Sequence, residues 1–286
     1  MDPIRTLYER EENLARPVFP SDLRANYGGD LYFPPATAER VYVAANFVST
    51  LDGVVSFNIP GQSGGAQISG SNDADRFIMG LLRASADAVL VGAGTVDAVS
   101  PTHLWIAEFI YPAAIDAYAR YRQETLRKPQ HPLIVVVSGT GRLDLKRAVF
   151  HTGGIDVLVI TTELGRHRLI DDGAGRLPST QIRELPGLDG NIDPCAIVNL
   201  LKAEFGVKLL LHEGGPTLFG HFLAAGLVDE LFLTMAPQIA GRSLEHSRPG
   251  LIENVQFVPG MAPWLTLLSV KQQTSYLYLR YRKREL

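Results

Sequence analysis

The amino-acid sequence predicts an α/β protein with a central, mostly parallel, twisted sheet, helices on both faces and an antiparallel hairpin at the C-terminal end. Two observations support this fold class. Nearly continuous runs of Val, Ile and Leu, typical of parallel strands buried on both faces, alternate with stretches of helical periodicity. The last two apolar runs are separated by only a few residues, which is typical of a hairpin rather than a crossover.

The strands are predicted where the apolar runs occur. In chain order these runs cover residues 41–48, 88–91, 133–138, 156–161, 209–211 and 230–235. The two strands of the hairpin follow at residues 265–271 and 276–281. Helices are predicted between the strands, at residues 72–84, 194–204 and 217–225. The connections between parallel strands should therefore be right-handed crossovers.

Two segments depart from this pattern. Residues 1–40 contain five prolines and no sustained periodicity, so they predict an irregular N-terminal arm that packs on the body or on a partner subunit. One domain is expected over residues 41–286. Residues 59–70 are rich in Gly and Pro, and we interpret them as a functional loop of this domain rather than a linker.

The composition narrows the classes of function. A formal net charge of −3 gives no broad basic field for nucleic acid, and no apolar run is long enough to span a bilayer. The single cysteine, Cys195, excludes a disulfide framework and a cysteine-rich zinc site within the chain. The histidines lack ligand spacing, so no metal site is expected. The N-terminal residues carry charges and no apolar signal region, which favours a cytoplasmic protein.

Two glycine loops follow predicted strands and point to a dinucleotide. Gly214 and Gly215 open a helix, where free backbone N–H groups and the positive end of the helix dipole favour a phosphate. Gly92, Gly94 and Thr95 follow another strand, and two such loops at strand ends can share one dinucleotide. A tight turn is the alternative interpretation of the Gly-Gly pair.

A third strand end carries polar donors. Ser138, Thr140 and Arg142 combine hydroxyl groups with one guanidinium, which suits the 2′-phosphate that distinguishes NADPH from NADH. A solvated turn explains the same residues equally well.

Three polar residues lie in otherwise apolar elements. Asn46, within a predicted strand, requires a hydrogen-bond partner, which is either a ligand ring or a neighbouring loop. Asp75 lies in the first turn of the helix at residues 72–84, and Arg83 lies near its end. Both charges suit the helix dipole, which is the usual role of such residues.

Together these residues resemble the reductase domain that forms the C-terminal part of the bacterial bifunctional riboflavin deaminase/reductase. The matching blocks are NFVSTLDG at residues 46–53, ADAVLVGAGTV at residues 86–96 and EGGPTL at residues 213–218. The resemblance covers residues 41–282 and implies a dihydrofolate-reductase-like fold, NADPH as cofactor and a homodimer. The zinc motif of the deaminase half has no counterpart, because Cys195 is the only cysteine, so a reductase without its deaminase is expected.

The resemblance also implies roles for individual residues. Glu213 and Arg83 are expected to face the substrate. Residues 99–106 depart from the family, whose pyrimidine reductases usually carry an arginine there that helps to hold the ribose phosphate. The residues expected to contact NADPH are Val48, Thr95, Gly214, Gly215, Pro216, Thr217 and Leu218.

A second resemblance, to dihydrofolate reductase, leaves the substrate open. There an acid in the first turn of the equivalent helix binds the pterin ring; Asp75 occupies this position, and Thr234 resembles the threonine that supports the acid. The family favours a phosphoribosylated pyrimidine, whereas Asp75 and Thr234 favour a pterin or dihydrofolate. In either case we expect hydride transfer to a C=N bond. The candidate catalytic residues are Asp75, which would relay a proton to a pterin, and Glu213. A non-catalytic dinucleotide-binding protein is the remaining alternative.

Overall fold

Strands and helices alternate along the chain. The computed structural model of the protein describes residues 1–10, 18–34, 40–59, 64–188, 190–243 and 247–284. In chain order the strands are β1 (Arg5–Glu9), β2 (Tyr42–Ser49), β3 (Ala88–Gly92), β4 (Leu133–Val137), β5 (Val157–Thr161), β6 (Thr180–Glu184), β7 (Gly187–Leu188), β8 (Asn191–Ile192), β9 (Leu209–His212), β10 (Glu230–Met235), β11 (Leu265–Gln273) and β12 (Tyr276–Lys283).

Ten of these strands form one sheet, in the order β1-β11-β12-β10-β2-β9-β3-β4-β5-β6, and β7 pairs only with β8. The strands from β10 to β6 run parallel, whereas β12 pairs antiparallel with both β10 and β11. The predicted mostly parallel sheet with a C-terminal antiparallel hairpin is therefore confirmed. The carboxyl ends of all the parallel strands meet at one edge of the sheet, where α/β proteins bind their ligands.

Helices cover both faces of the sheet. They are α1 (Ser21–Tyr27), α2 (Gly65–Ser69), α3 (Asp73–Ser85), α4 (Ala93–Ala98), α5 (Ala107–Ile110), α6 (Ile115–Ala119), α7 (Glu163–Asp171), α8 (Pro194–Phe205) and α9 (Pro216–Ala224). Short 3₁₀ turns occur at Pro112–Ala114, Ala148–Phe150 and Ala174–Arg176, and a π turn occurs at Arg120–Thr125. In the ranges that the structure describes, none of the helices has the length and apolar character needed to cross a membrane.

Helix α3 anchors the core on one face of the sheet. Its N-terminus is capped by Asn72, whose side chain accepts a hydrogen bond from the backbone N–H of Asp75 at 2.9 Å. Phe77 and Leu81 are fully buried against the sheet. The opposite face is covered by α8 and α9, whose apolar residues form a second core. This layering fixes α3 beside the ends of the central strands.

The predicted strands and helices are confirmed, with ends that differ by no more than two residues. The prediction of an irregular N-terminal arm is wrong for β1, which pairs with β11, and for α1, which buries Leu23 and Tyr27. The arm therefore packs on the body, although its residues 11–17 and 35–39 lie outside the described ranges. The loop expected at residues 59–70 contains the short helix α2, and its residues 60–63 also lie outside those ranges.

Candidate active site

The predicted ligand-binding residues meet at the carboxyl edge of the parallel strands. Val48, near the end of β2, lies opposite Thr234 on β10. On the other side of β2, Ala45 lies opposite His212, the last residue of β9, and His212 also lies opposite Leu90 on β3. Four neighbouring strands therefore bring the expected substrate and cofactor residues to one place.

Strand geometry assigns the substrate residues to the face covered by α3. Ala44, Leu211 and Phe232 belong to the core beneath this helix. Side chains alternate between the faces of a sheet, so the residues two places further along point the same way. These residues are Asn46, Glu213 and Thr234. Asn46 is half-buried, and its side chain has no hydrogen-bond partner among the described residues, which leaves its amide available to a ligand.

Asp75 presents a buried carboxyl group to this face. The residue is only 5% exposed, and its burial raises the pKa of the carboxyl to about 6. The negative charge of Glu213 also raises this pKa, whereas hydrogen bonds from the side chains of Thr234 and Ser69 lower it. Thr234 is therefore among the groups that influence the Asp75 carboxyl, and its role as the support that the second resemblance implies stays a prediction. A carboxyl group with a pKa near neutrality can both hold and release a proton.

Glu213 is fixed by a buried ion pair with Arg83. The Arg83 Nη2 atom lies 2.8 Å from Oε2 of Glu213, and the two side chains are 2% and 7% exposed. Nη1 of Arg83 donates to the carbonyl oxygens of Leu104 and Ile106 at 3.3 and 3.4 Å. Arg83 lies in the last turn of α3, where its charge suits the helix dipole, and its guanidinium also binds groups outside its helix. Arg83 positions Glu213 at the end of β9, and direct contact of Arg83 with a substrate stays a prediction.

The two glycine loops lie against each other. Gly92 precedes α4, and Gly215 precedes α9. A Cβ atom placed on Gly215 would lie 3.5 Å from the Thr95 hydroxyl, and one placed on Gly92 would lie 3.6 Å from Leu218. No described side chain caps the N-terminus of α9, so the backbone N–H groups that follow Pro216 in its first turn are available to a ligand. The remaining predicted cofactor residues, Gly94, Gly214, Pro216 and Thr217, belong to the same two segments.

The third predicted cofactor segment, which follows β4, forms a hydrogen bond within its own turn. Ser138 is only 3% exposed, and its hydroxyl donates to the Arg142 carbonyl oxygen at 3.4 Å. The Ser138 hydroxyl is thus bonded within the turn, and its contact with a phosphate stays a prediction that this arrangement does not favour. Thr140 and Arg142 are exposed and stay candidates. The glycine between Ser138 and Thr140 is required by packing, since a Cβ on Gly139 would lie 1.8 Å from the Gly190 carbonyl oxygen.

The residues that support the end of the helix carrying Asp75 could not be identified from the sequence. Ser69 belongs to α2, and its carbonyl oxygen accepts a hydrogen bond from the Tyr276 hydroxyl at 3.0 Å. The Tyr278 hydroxyl donates to the Asn72 side chain at 2.9 Å. Both tyrosines come from the C-terminal hairpin, more than 200 positions away in the chain. No local sequence pattern reports such contacts.

The loops that follow β2 and β10 are joined beside the site. The Asp52 carboxylate accepts hydrogen bonds from the backbone N–H groups of Ala240 and Gly241 at 3.1 and 2.7 Å, and from the Thr50 hydroxyl at 2.6 Å. These bonds hold the pKa of Asp52 well below its usual range. Arg242 donates to the Asp52 carbonyl oxygen at 3.1 Å, so the two loops are fixed next to Val48.

A metal centre has no support in the described ranges, which contain no group of three or more His, Cys, Asp or Glu residues that could hold an ion.

Residues 41–275 match the family model described as the RibD C-terminal domain. The chain belongs to the RibD C-terminal domain family. This membership confirms the first resemblance, and with it the fold that the resemblance implies.

Two curated relatives of this RibD-type chain illustrate the family. The chain is 26% identical over 209 residues to the 2,5-diamino-6-ribosylamino-4(3H)-pyrimidinone 5′-phosphate reductase of Archaeoglobus fulgidus, which covers 71% of the chain and 83% of the relative. It is 29% identical over 206 residues to the riboflavin biosynthesis protein RibD of Escherichia coli, covering 70% of the chain. The match spans only 49% of the length of the Escherichia coli protein.

Solved structures agree on the fold. Acinetobacter baumannii RibD superposes with a TM-score of 0.63 at 23% identity, covering 86% of this chain and 59% of that one. A pyrimidine reductase-like protein from Corynebacterium diphtheriae superposes with a TM-score of 0.63 at 20% identity, covering 92% of this chain and 99% of that one. At these identities the likeness concerns the architecture alone.

Proposed function

We propose that this RibD-type chain is a reductase that transfers hydride from NADPH to a C=N bond of a phosphoribosylated aminopyrimidine. The family and the name of the Archaeoglobus relative support this substrate class. The observation that carries the proposal is the arrangement at the sheet edge. The paired glycine loops there lie next to Asp75 and Glu213, which Thr234 and Arg83 hold in place.

The residues at the strand ends fit a dinucleotide. Gly215 leaves room between Thr95 and the uncapped N-terminus of α9, so phosphate oxygens can approach the backbone N–H groups. The bound cofactor would supply the hydride. Asn46 and Val48, at the end of β2, lie between the glycine loops and Thr234, where they would orient the reacting ring.

The protein side of the reaction is the handling of a proton and the placement of a ring. With a pteridine as the substrate, Asp75, whose pKa of about 6 lets it hold a proton near neutral pH, would deliver that proton to the ring nitrogen beside the carbon that receives hydride. Glu213, held by Arg83, presents a fixed carboxylate that suits the N–H donors of an aminopyrimidine.

A second candidate, reduction of dihydrofolate or another pteridine, is favoured by the buried Asp75 and its hydrogen bond with Thr234. The two candidates are separated by following NADPH oxidation with the phosphoribosylaminouracil and with dihydrofolate in parallel. We expect faster turnover of the pyrimidine. Faster turnover of dihydrofolate would replace the first proposal by the second, and NADPH binding without turnover of either substrate would indicate a non-catalytic binding protein.

We expect Arg142→Ala to weaken NADPH binding by about 10-fold and to leave NADH binding nearly unchanged, because the exposed guanidinium is free to pair with a 2′-phosphate. Arg166→Ala, which removes another exposed arginine on α7, is the matched control and should affect neither cofactor. Dissociation constants for both cofactors measure the effect. Equal effects of Arg142→Ala on NADPH and NADH would show that Arg142 does not bind the phosphate.

Two further proposals are a homodimer, which rests on the resemblance, and a cytoplasmic location, which rests on the composition of the sequence. Sedimentation of the purified chain would test the first, and fractionation of cells would test the second.

A further inference from the structure

His212 is a buried titratable residue directly beneath the cofactor loop. It is the last residue of β9 and has no solvent exposure. Its side chain points to the face of the sheet opposite Glu213, because neighbouring residues of a strand alternate. There its ring packs edge-on against Phe219 and Phe222 of α9, with centroid distances of 5.6 and 4.9 Å.

The imidazole makes one specific hydrogen bond. Nδ1 accepts the backbone N–H of Gly214 at 3.3 Å, whereas Nε2 is buried without a hydrogen-bond partner among the described residues. An accepting Nδ1 requires a neutral ring with its proton on Nε2. Burial lowers the pKa of His212 to about 4, although contacts with the backbone of His212 and Leu218 raise it, so the ring is neutral at physiological pH.

Packing alone does not explain a histidine at this position. An unpaired polar nitrogen among aromatic rings costs free energy that a leucine of similar size would avoid. The group that benefits is the buried N–H of Gly214, for which His212 is the acceptor within the described residues. The ring also lies directly against the loop, because a Cβ placed on Gly214 would come within 3.0 Å of its Cε1 atom.

We propose that His212 is a positioning residue for the cofactor loop. By accepting the Gly214 N–H, its imidazole turns this amide toward the core and so leaves the N–H groups of Gly215 and of the first turn of α9 directed at the dinucleotide phosphates. The inference rests on the proposed function, since it requires a dinucleotide at this loop. It adds a residue that does not itself touch the cofactor.

The test compares two substitutions of His212 that differ in whether the side chain offers an acceptor for the Gly214 N–H. His212→Asn places an amide oxygen where Nδ1 lies, whereas His212→Leu fills the space without an acceptor. We expect His212→Leu to weaken NADPH binding by about 10-fold, the scale of one lost oriented hydrogen bond, and His212→Asn to bind within about 3-fold of the unmodified protein. The turnover number at saturating NADPH should change little in either variant, so the effect falls on KM.

NADPH dissociation constants in the absence of substrate are the primary measurement, and melting temperatures verify that each variant folds. Equal NADPH affinity of the leucine and asparagine variants would overturn the role of His212, because the presence of a hydrogen-bond acceptor would then make no difference to NADPH binding. If the leucine variant does not fold, His212→Gln replaces it, since glutamine carries its amide at the Nε2 position instead. Failure of the unmodified protein to bind NADPH would overturn the proposed function itself, and the role of His212 with it.

Discussion

Gly215→Val is expected to abolish measurable NADPH binding, a loss of at least about 100-fold, while the protein stays folded. The backbone at Gly215 has φ −68° and ψ 171°, which any residue adopts. A Cβ atom there meets the Thr95 hydroxyl at an ordinary distance of 3.5 Å. The two methyl groups of valine would therefore be tolerated by the fold and would occupy the gap between the glycine loops. Titration with NADPH and a circular dichroism spectrum measure both parts of the prediction.

Two other glycines serve as controls for this experiment. A Cβ on Gly153 has no heavy atom within 4 Å, so Gly153→Val should bind NADPH normally. A Cβ on Gly214 would lie 2.9 Å from a Leu218 methyl group, so Gly214→Val should lose stability as well as affinity. A folded Gly215→Val protein with unchanged NADPH affinity would exclude the glycine loop from the cofactor site.

Elements of the central sheet could be predicted because their residues are buried on both faces. β10 coincides with the run predicted at residues 230–235, and β5 was predicted to within one residue. β1 and β6 escaped prediction because both are edge strands. Their exposed and polar residues, such as Gln181 and Arg183 in β6, interrupt the apolar run that marks a buried strand.

The parts of the site that could be predicted are those formed by residues close together in the chain. Glycines that follow a strand and open a helix define the cofactor loops, and the structure brings Thr95 and Gly215 together. The partner of Arg83 was not predictable from spacing, because Glu213 lies 130 positions away. The chemistry of the Ser138 hydroxyl alone predicts a phosphate ligand, and the sequence does not show that this hydroxyl bonds within its own turn.

The buried ion pair between Arg83 and Glu213 determines which substitution can be used to test substrate binding. Removing one partner of a buried ion pair leaves a buried charge and typically costs about 3–5 kcal/mol. Arg83→Ala would therefore confuse loss of fold with loss of substrate binding. Glu213→Gln also removes the counterion of Arg83 but keeps a hydrogen-bond acceptor for its guanidinium, so it should disturb the fold less than Arg83→Ala and is the better test of a pyrimidine substrate.

Asp75→Asn is expected to lower the turnover of dihydrofolate by about 100-fold or more and to leave NADPH affinity nearly constant, if the ligand is a pterin. Asparagine keeps the shape of the side chain but cannot deliver a proton to the ring. With a phosphoribosylated pyrimidine as the substrate, the effect of Asp75→Asn should be mild, and Glu213→Gln should carry the sensitivity. Steady-state kinetics of both variants on both substrates separate these outcomes.

The pH dependence of stability provides an independent check on Asp75. Its pKa is raised from 3.8 to about 6 in the folded protein, so the unfolded chain ionises first as the pH rises. Between about pH 4 and 6 the unmodified protein should therefore lose stability relative to Asp75→Asn, and the difference should stay constant at higher pH. A carboxylate that only compensates the helix dipole predicts the opposite sign, a loss of at most about 1 kcal/mol on substitution, with unchanged kinetics. Thermal unfolding of both proteins across this pH range distinguishes the two roles of Asp75. An Asp75→Asn variant that is less stable than the unmodified protein and fully active would exclude the pterin hypothesis. The carboxyl would then stabilise the helix and would not act on the ligand.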